Sequence, residues 1–125
     1  MKSLTLAPTS NTPFVSFDAA SGSIELKGRS TPENSVEFYE PIMIWLENYV
    51  QSPQECTTVE VKFEYFNTSS SKCILDIFKR LIVLQKSGKQ IVVNWYYEQD
   101  DEDMQEAGED YSDILGLTFN IKQIE

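Results

Sequence analysis

Apolar residues recur along this chain in two different periods, and the switches between them mark out the elements. Alternation over Phe14–Asp18 and over residues 23–28 predicts two strands, with residues 19–22 as a hairpin turn between them. Leu4–Leu6 reads as a further short strand, and residues 9–13 as a turn or exposed loop. The period then changes. Phe38, Tyr39, Ile42, Trp45, Leu46 and Tyr49 form one helical stripe, predicting a helix that grows out of residues 29–35 and runs to about Val50. Ser30 or Thr31 is the expected cap, Pro32 is tolerated at a helix start, and Glu33 suits the positive end of the dipole. Pro41 lies inside the stripe. It predicts a kink, or a late start with residues 34–40 as an irregular lead-in.

Alternation returns over residues 57–66, followed by the five polar residues Asn67-Thr68-Ser69-Ser70-Ser71. Cys73, Ile74, Ile77, Phe78, Leu81 and Leu84 then predict a helix over residues 69–86, closed by Ser87-Gly88. Residues 91–97 are mostly apolar, as in a strand buried on both faces, and a last strand is expected near residues 117–121. The order is hairpin, α, β, α, β, α, β. Two strand–helix–strand units should be parallel and right-handed. The predicted class is α/β: a mixed sheet of four to six strands, with an N-terminal hairpin and about three helices mainly on one face.

Length and charge narrow the function. A chain of 125 residues fits one domain spanning residues 1–125. A formal net charge of -10 repels phosphate backbones and anionic lipid, so neither nucleic-acid binding nor membrane insertion is expected; a basic protein partner suits it better. Cys56 and Cys73 have no metal-type spacing, and a free thiol on an apolar stripe behaves as a small hydrophobe. A reducing, cytoplasmic setting is the expectation. The chain has no histidine, which removes the commonest general base and metal ligand. Its five glycines build no phosphate-binding loop. The acidic run over residues 98–110 lacks the spacing of a calcium loop and reads as a solvated helix start, or next as a docking surface.

The strand-to-helix turn at residues 67–71 is the best candidate for a switch. One hydroxyl can cap the helix, and the unpaired N–H groups and dipole of a helix start favour a phosphate. Spacing alone does not choose between Thr68 and the three serines. Asn94, Trp95, Tyr96 and Tyr97 end a central strand beside Asn67 and Thr68, so both segments are expected to form one surface. Trp95 reads equally well as a core aromatic.

Three segments in this order, Ser-Thr-Pro-Glu-Asn-Ser at 30–35, Phe66-Asn67-Thr68-Ser69-Ser70, and Val93-Asn94-Trp95-Tyr96-Tyr97, resemble the SiaC family of biofilm-regulating bacterial phosphoproteins. The resemblance covers nearly the whole chain. It implies a fold similar to the STAS domains of anti-sigma-factor antagonists, and no enzymatic activity or cofactor. It further implies that Thr68 is phosphorylated by a dedicated protein Ser/Thr kinase and reset by a PP2C-type phosphatase, and that the unphosphorylated form binds a diguanylate cyclase and promotes cyclic-di-GMP synthesis. Asn67 and Ser69, Ser70 and Ser71 would shape the turn. Thr31, Pro32, Glu33 and Asn34, with Asn94–Tyr97, are the candidate partner surface by placement. Thr68 itself is the expected helix cap. Two other readings stand beside this one: an anti-sigma-factor antagonist that captures a kinase-like partner, and a small metal-dependent hydrolase built on the acidic run.

Overall fold

The computed structural model describes residues 1–124. Six strands form one sheet in sequence order: β1 (Leu4–Leu6), β2 (Phe14–Asp18), β3 (Ser23–Ser30), β4 (Cys56–Phe66), β5 (Gln90–Tyr97) and β6 (Phe119–Gln123). Strands β1 to β3 are antiparallel neighbours, and β3 to β6 are parallel. Three helices make the parallel crossovers: α1 (Ser35–Tyr49), α2 (Thr68–Lys86) and α3 (Glu102–Leu115). There are thus three parallel strand–helix–strand units rather than two, because β3 is both the end of the hairpin and the start of the first unit.

Alternation decides which face each residue takes. The register aligns Val15, Leu26, Val61 and Trp95 across the sheet, and beside them Phe17, Ile24, Val59, Val93 and Phe119. All nine are buried. They meet Ile42, Trp45 and Leu46 of α1, Ile74, Ile77 and Phe78 of α2, and Tyr111 of α3 in one core, so all three helices lie on this face. Trp95 is its hub. Its ring lies within 6.5 Å of the rings of Phe63, Phe66, Phe78, Tyr111 and Phe119, and its indole N–H donates to the Met104 carbonyl at 2.9 Å. Gly108 lets α3 approach that ring: a Cβ there would stand 2.4 Å from the indole. Gly22, at φ +70, turns the β2–β3 hairpin.

Several boundaries differ from the sequence reading. Helix α1 runs unbroken through Pro41, with no irregular lead-in. Pro41 sits on the exposed side, where the carbonyl it cannot bond is open to water. The cap of α1 is Asn34, which accepts from the Glu37 N–H at 3.1 Å, and neither Ser30 nor Thr31 caps. Ser30 instead ends β3, fully buried. Strand β5 is covered by helices on one face only; its other face carries Asn94 and Tyr96. No helix among the described residues is long and apolar enough to cross a membrane.

Candidate functional site

The turn between β4 and α2 is built from hydroxyls. Asn67 is extended, and its side chain accepts from the Ser70 N–H at 2.9 Å, which makes it the N-cap of α2. Thr68 is the first helical residue. It does not cap, in contrast to the expectation from sequence: an amide one position earlier reaches the same N–H. Below the turn, hydroxyls form a continuous chain. Tyr39 meets Ser30 at 2.6 Å, Ser30 donates to Ser70 at 2.9 Å, and Ser70 lies 3.4 Å from Ser35. Ser35 meets Ser69 at 2.8 Å, and Ser69 donates to the side-chain Oδ1 of Asn67 at 3.1 Å. Every hydroxyl in that chain can donate onward and accept from behind, so bonds reinforce one another and end on the capping side chain. The chain ties β3, α1 and α2 together beneath the surface. Burial pushes the Tyr39 hydroxyl up to about 12, only partly offset by its Ser30 bond.

The four hydroxyls of the turn are therefore not equivalent. Ser70 is fully buried. Ser69 is held by Ser35 and Asn67, and Ser71 donates to the Thr68 carbonyl at 2.6 Å. Thr68 is exposed, and among the described residues its hydroxyl has no hydrogen-bond partner. The N–H groups of Thr68 and Ser69 lack intrahelical partners by position. No acidic residue occupies the first turn of α2.

Thr68 looks over a groove of about 620 Å³ between the N-termini of α1 and α2. Glu33, Asn34, Ser35 and Val36 form one wall, and Ser69, Lys72, Cys73 and Asp76 the other. Val36 is a large apolar side chain left 76% exposed beside the hydroxyl. Lys72 is four residues after Thr68, on the same side of the helix. Burial, and then the Asp76 charge, push the Cys73 thiol up, so it is held as the neutral thiol.

The predicted site residues divide. Glu33 and Asn34 join Thr68 and Ser69 around this groove, and Asn67 caps α2 next to it. Thr31 is half-buried and its N–H donates to the Asn11 carbonyl; Pro32 is buried beneath the surface. Asn94–Tyr97 do not share this surface, which corrects the expected single patch. Trp95 is fully buried in the core. Asn94 points to the opposite face, donating to Glu60 at 3.2 Å and accepting from Asn120 at 3.1 Å. Tyr96 lies on that face too, under Lys62. Tyr97 is half-buried next to β6. The reason is the pleat: residues 94–97 alternate between faces, so no four in a row form a patch. Sequence reasoning passed over Val36 and Lys72. Val36 falls outside the apolar stripe of α1, and Lys72 follows Thr68 by one turn, so both were within reach.

The acidic run forms the start of α3. Asp101 caps it, accepting from the Met104 N–H at 3.0 Å, with Glu102 and Asp103 in the first turn. Among the described residues no cluster of three or more carboxylates or thiols is arranged to hold a metal ion.

A family model described as SiaC family regulatory phosphoprotein matches residues 6–124. An uncharacterized protein of Pseudomonas aeruginosa strain UCBPP-PA14 is 28% identical over 122 residues, covering 98% of this chain and 97% of that one. The crystal structure of apo-SiaC from Pseudomonas aeruginosa superposes with a TM-score of 0.88 at 28% identity, over 98% of this chain and 99% of that one. A third likeness is to the SiaC chain in a crystal structure of the diguanylate cyclase SiaD in complex with its activator SiaC, also from Pseudomonas aeruginosa. There the TM-score is 0.90 at 27% identity, over 97% of this chain and 99% of that one.

Proposed function

This chain belongs to the SiaC family of regulatory phosphoproteins, and from that premise we propose that it is a phosphorylation-controlled partner switch with Thr68 as the acceptor. The observation that carries the proposal is the inequality of the four hydroxyls. A kinase needs a hydroxyl that is exposed and free to enter its active site. Ser69, Ser70 and Ser71 are each engaged, and Thr68 is free. The chain works without chemistry of its own, in the cytoplasm. A protein Ser/Thr kinase adds the phosphate and a PP2C-type phosphatase removes it.

The unphosphorylated form binds and activates a diguanylate cyclase, as the SiaC of Pseudomonas aeruginosa is the activator of SiaD. The groove between α1 and α2 supports this role. It offers a partner the apolar Val36 beside a neutral hydroxyl, over a rigid floor of hydrogen-bonded serines. A phosphate on Thr68 adds roughly -1.5 to -2 charges at neutral pH. The free N–H groups of α2 and Lys72 tolerate it within the chain. A partner seated on Val36 would have to bury it against Glu33 and Asp76, which costs several kcal/mol unless the partner brings cations. The same charge can therefore leave the fold intact and release the partner.

Intact mass and peptide mapping of protein from its native host, before and after phosphatase treatment, test the acceptor. One removable phosphate on Thr68 is expected. A phosphate on Ser69 or Ser71 instead, or none while the protein is abundant, would sink the assignment. Capture of a purified diguanylate cyclase by the unphosphorylated and phosphorylated forms then tests the partner, with retention expected only on the first.

A further inference from the structure

The second face of the sheet carries its charges in rows. Parallel sheets are almost always covered on both faces, yet here the four parallel strands β3 to β6 have helices on one side only. On the open side Glu25 stands directly beside Glu60, and one pleat further along Lys27 stands beside Lys62. Like charges in adjacent positions repel. None of these four side chains makes a salt bridge with another described residue. The glutamate row continues into Asn94 and Asn120, and the lysine row into Tyr96 and Lys122, with Lys62 4.6 Å from the Tyr96 ring centroid. Within the chain the Glu60 carboxylate meets only neutral groups, accepting from Asn94 at 3.2 Å with the Tyr96 hydroxyl against it.

We propose that this open face is a self-association surface, and that its occupant is a second copy of the chain. A two-fold axis lying across the strands, between the two rows, keeps each strand over its own counterpart and exchanges the rows. Lys62 of one copy then lies over Glu60 of the other, and Lys27 over Glu25, each contact occurring twice as a closed two-fold interface requires. Each like-charged pair gains opposite charges. This face also suits a chain of net charge -10: the acidic start of α3 projects from the helical layer, away from the contact. Strand spacing and length make the face on the order of 500 Å² per copy, below the about 800 Å² of a standard interface, so association is weak and salt-sensitive.

Sedimentation velocity on the full chain over a range of concentrations, at low and high salt, tests this. Wild type should dimerise with rising concentration, and less so in high salt. Lys62→Glu and Glu60→Lys, each verified as folded by circular dichroism, should each weaken dimerisation about tenfold or more. Their one-to-one mixture should associate more tightly than wild type, since one copy then presents carboxylates where the other presents ammonium groups. Wild type that stays monomeric throughout, a dimer indifferent to both changes, or a mixture that does not associate overturns the proposal. So does a monomeric wild type whose binding to a purified diguanylate cyclase is lost with Lys62→Glu, which would give the face to that partner.

Discussion

The helix starts of α2 and α3 follow parallel strands, stand side by side, and use the same cap. Asn67 and Asp101 each accept from the backbone N–H three residues on, at 2.9 and 3.0 Å. They differ in what surrounds the cap. At α3 the dipole is already answered by Asp101, Glu102 and Asp103. At α2 it is answered by a neutral amide, and the first turn holds no carboxylate. The positive end of α2 is left electrostatically vacant, with an unbonded hydroxyl on it. An added phosphate would be repelled at the first start and accommodated at the second. Identical capping geometry thus leaves one helix start already charged and the other with room for a charge.

The most direct way to break this comparison is to remove the vacancy's acceptor. Thr68→Ala should abolish phosphorylation by the cognate kinase entirely, read as incorporation of labelled phosphate, whereas Ser69→Ala should retain most of it. Loss with Ser69→Ala and retention with Thr68→Ala would reverse the two roles.

The buried floor of the α2 start should show itself at high pH. The Tyr39 hydroxyl is raised from 10.0 to about 12, so below pH 10 its contribution to stability is fully present. Above pH 10 the unfolded chain releases the proton first, and stability falls until pH reaches the folded value, by up to roughly 3 kcal/mol. Urea unfolding between pH 9 and 12 should show this slope, and Tyr39→Phe should lessen it, the remainder coming from the Tyr111 hydroxyl, which burial also pushes up. An unchanged slope would place the loss elsewhere. At α3, Gly108→Ala improves helix propensity but drives a methyl into Trp95; a loss of about 2 kcal/mol in thermal or urea unfolding is expected, as for overpacked cores. A more stable variant would mean that the indole moves freely.

The caps give a smaller, sharper contrast. Asn67→Ala should cost about 1 kcal/mol, and Asp101→Ala a similar amount. Thr68→Ala should change stability by less than about 0.5 kcal/mol, because the threonine is not the cap and alanine is the better helix former. Equilibrium unfolding of the three variants decides it. A Thr68→Ala loss as large as that of Asn67→Ala would return the cap to Thr68.

Much of the architecture was legible in the sequence because burial on one face leaves a periodic trace. The alternation at Val59, Val61 and Phe63 and the stripe from Cys73 to Leu84 located β4 and α2 to within a residue or two. The hairpin and the first helix were found the same way, whereas the third helix was read only from its acidic start. The late start allowed for at Pro41 did not occur, because a proline on the exposed side leaves its unbonded carbonyl partner to water. Asn94–Tyr97 misled because a mostly apolar strand hides its alternation; only its neighbours' registers sort Trp95 inward and Asn94 and Tyr96 outward.

By itself the sequence determined the succession of elements, the acidic surface, the absence of a histidine-based site, and the presence of four hydroxyls at one helix start. Those are local properties, set by residue type and spacing. Only the tertiary structure decided which hydroxyl is free. For Ser69 and Ser70 that depends on Ser30, Ser35 and Tyr39, which lie on β3 and α1, well before the turn in sequence. Packing brings their oxygens within 2.6 to 3.4 Å of one another and of the turn serines. Hydrogen bonds form between groups that the fold makes neighbours, so no pattern along the chain can show which hydroxyl is left without one.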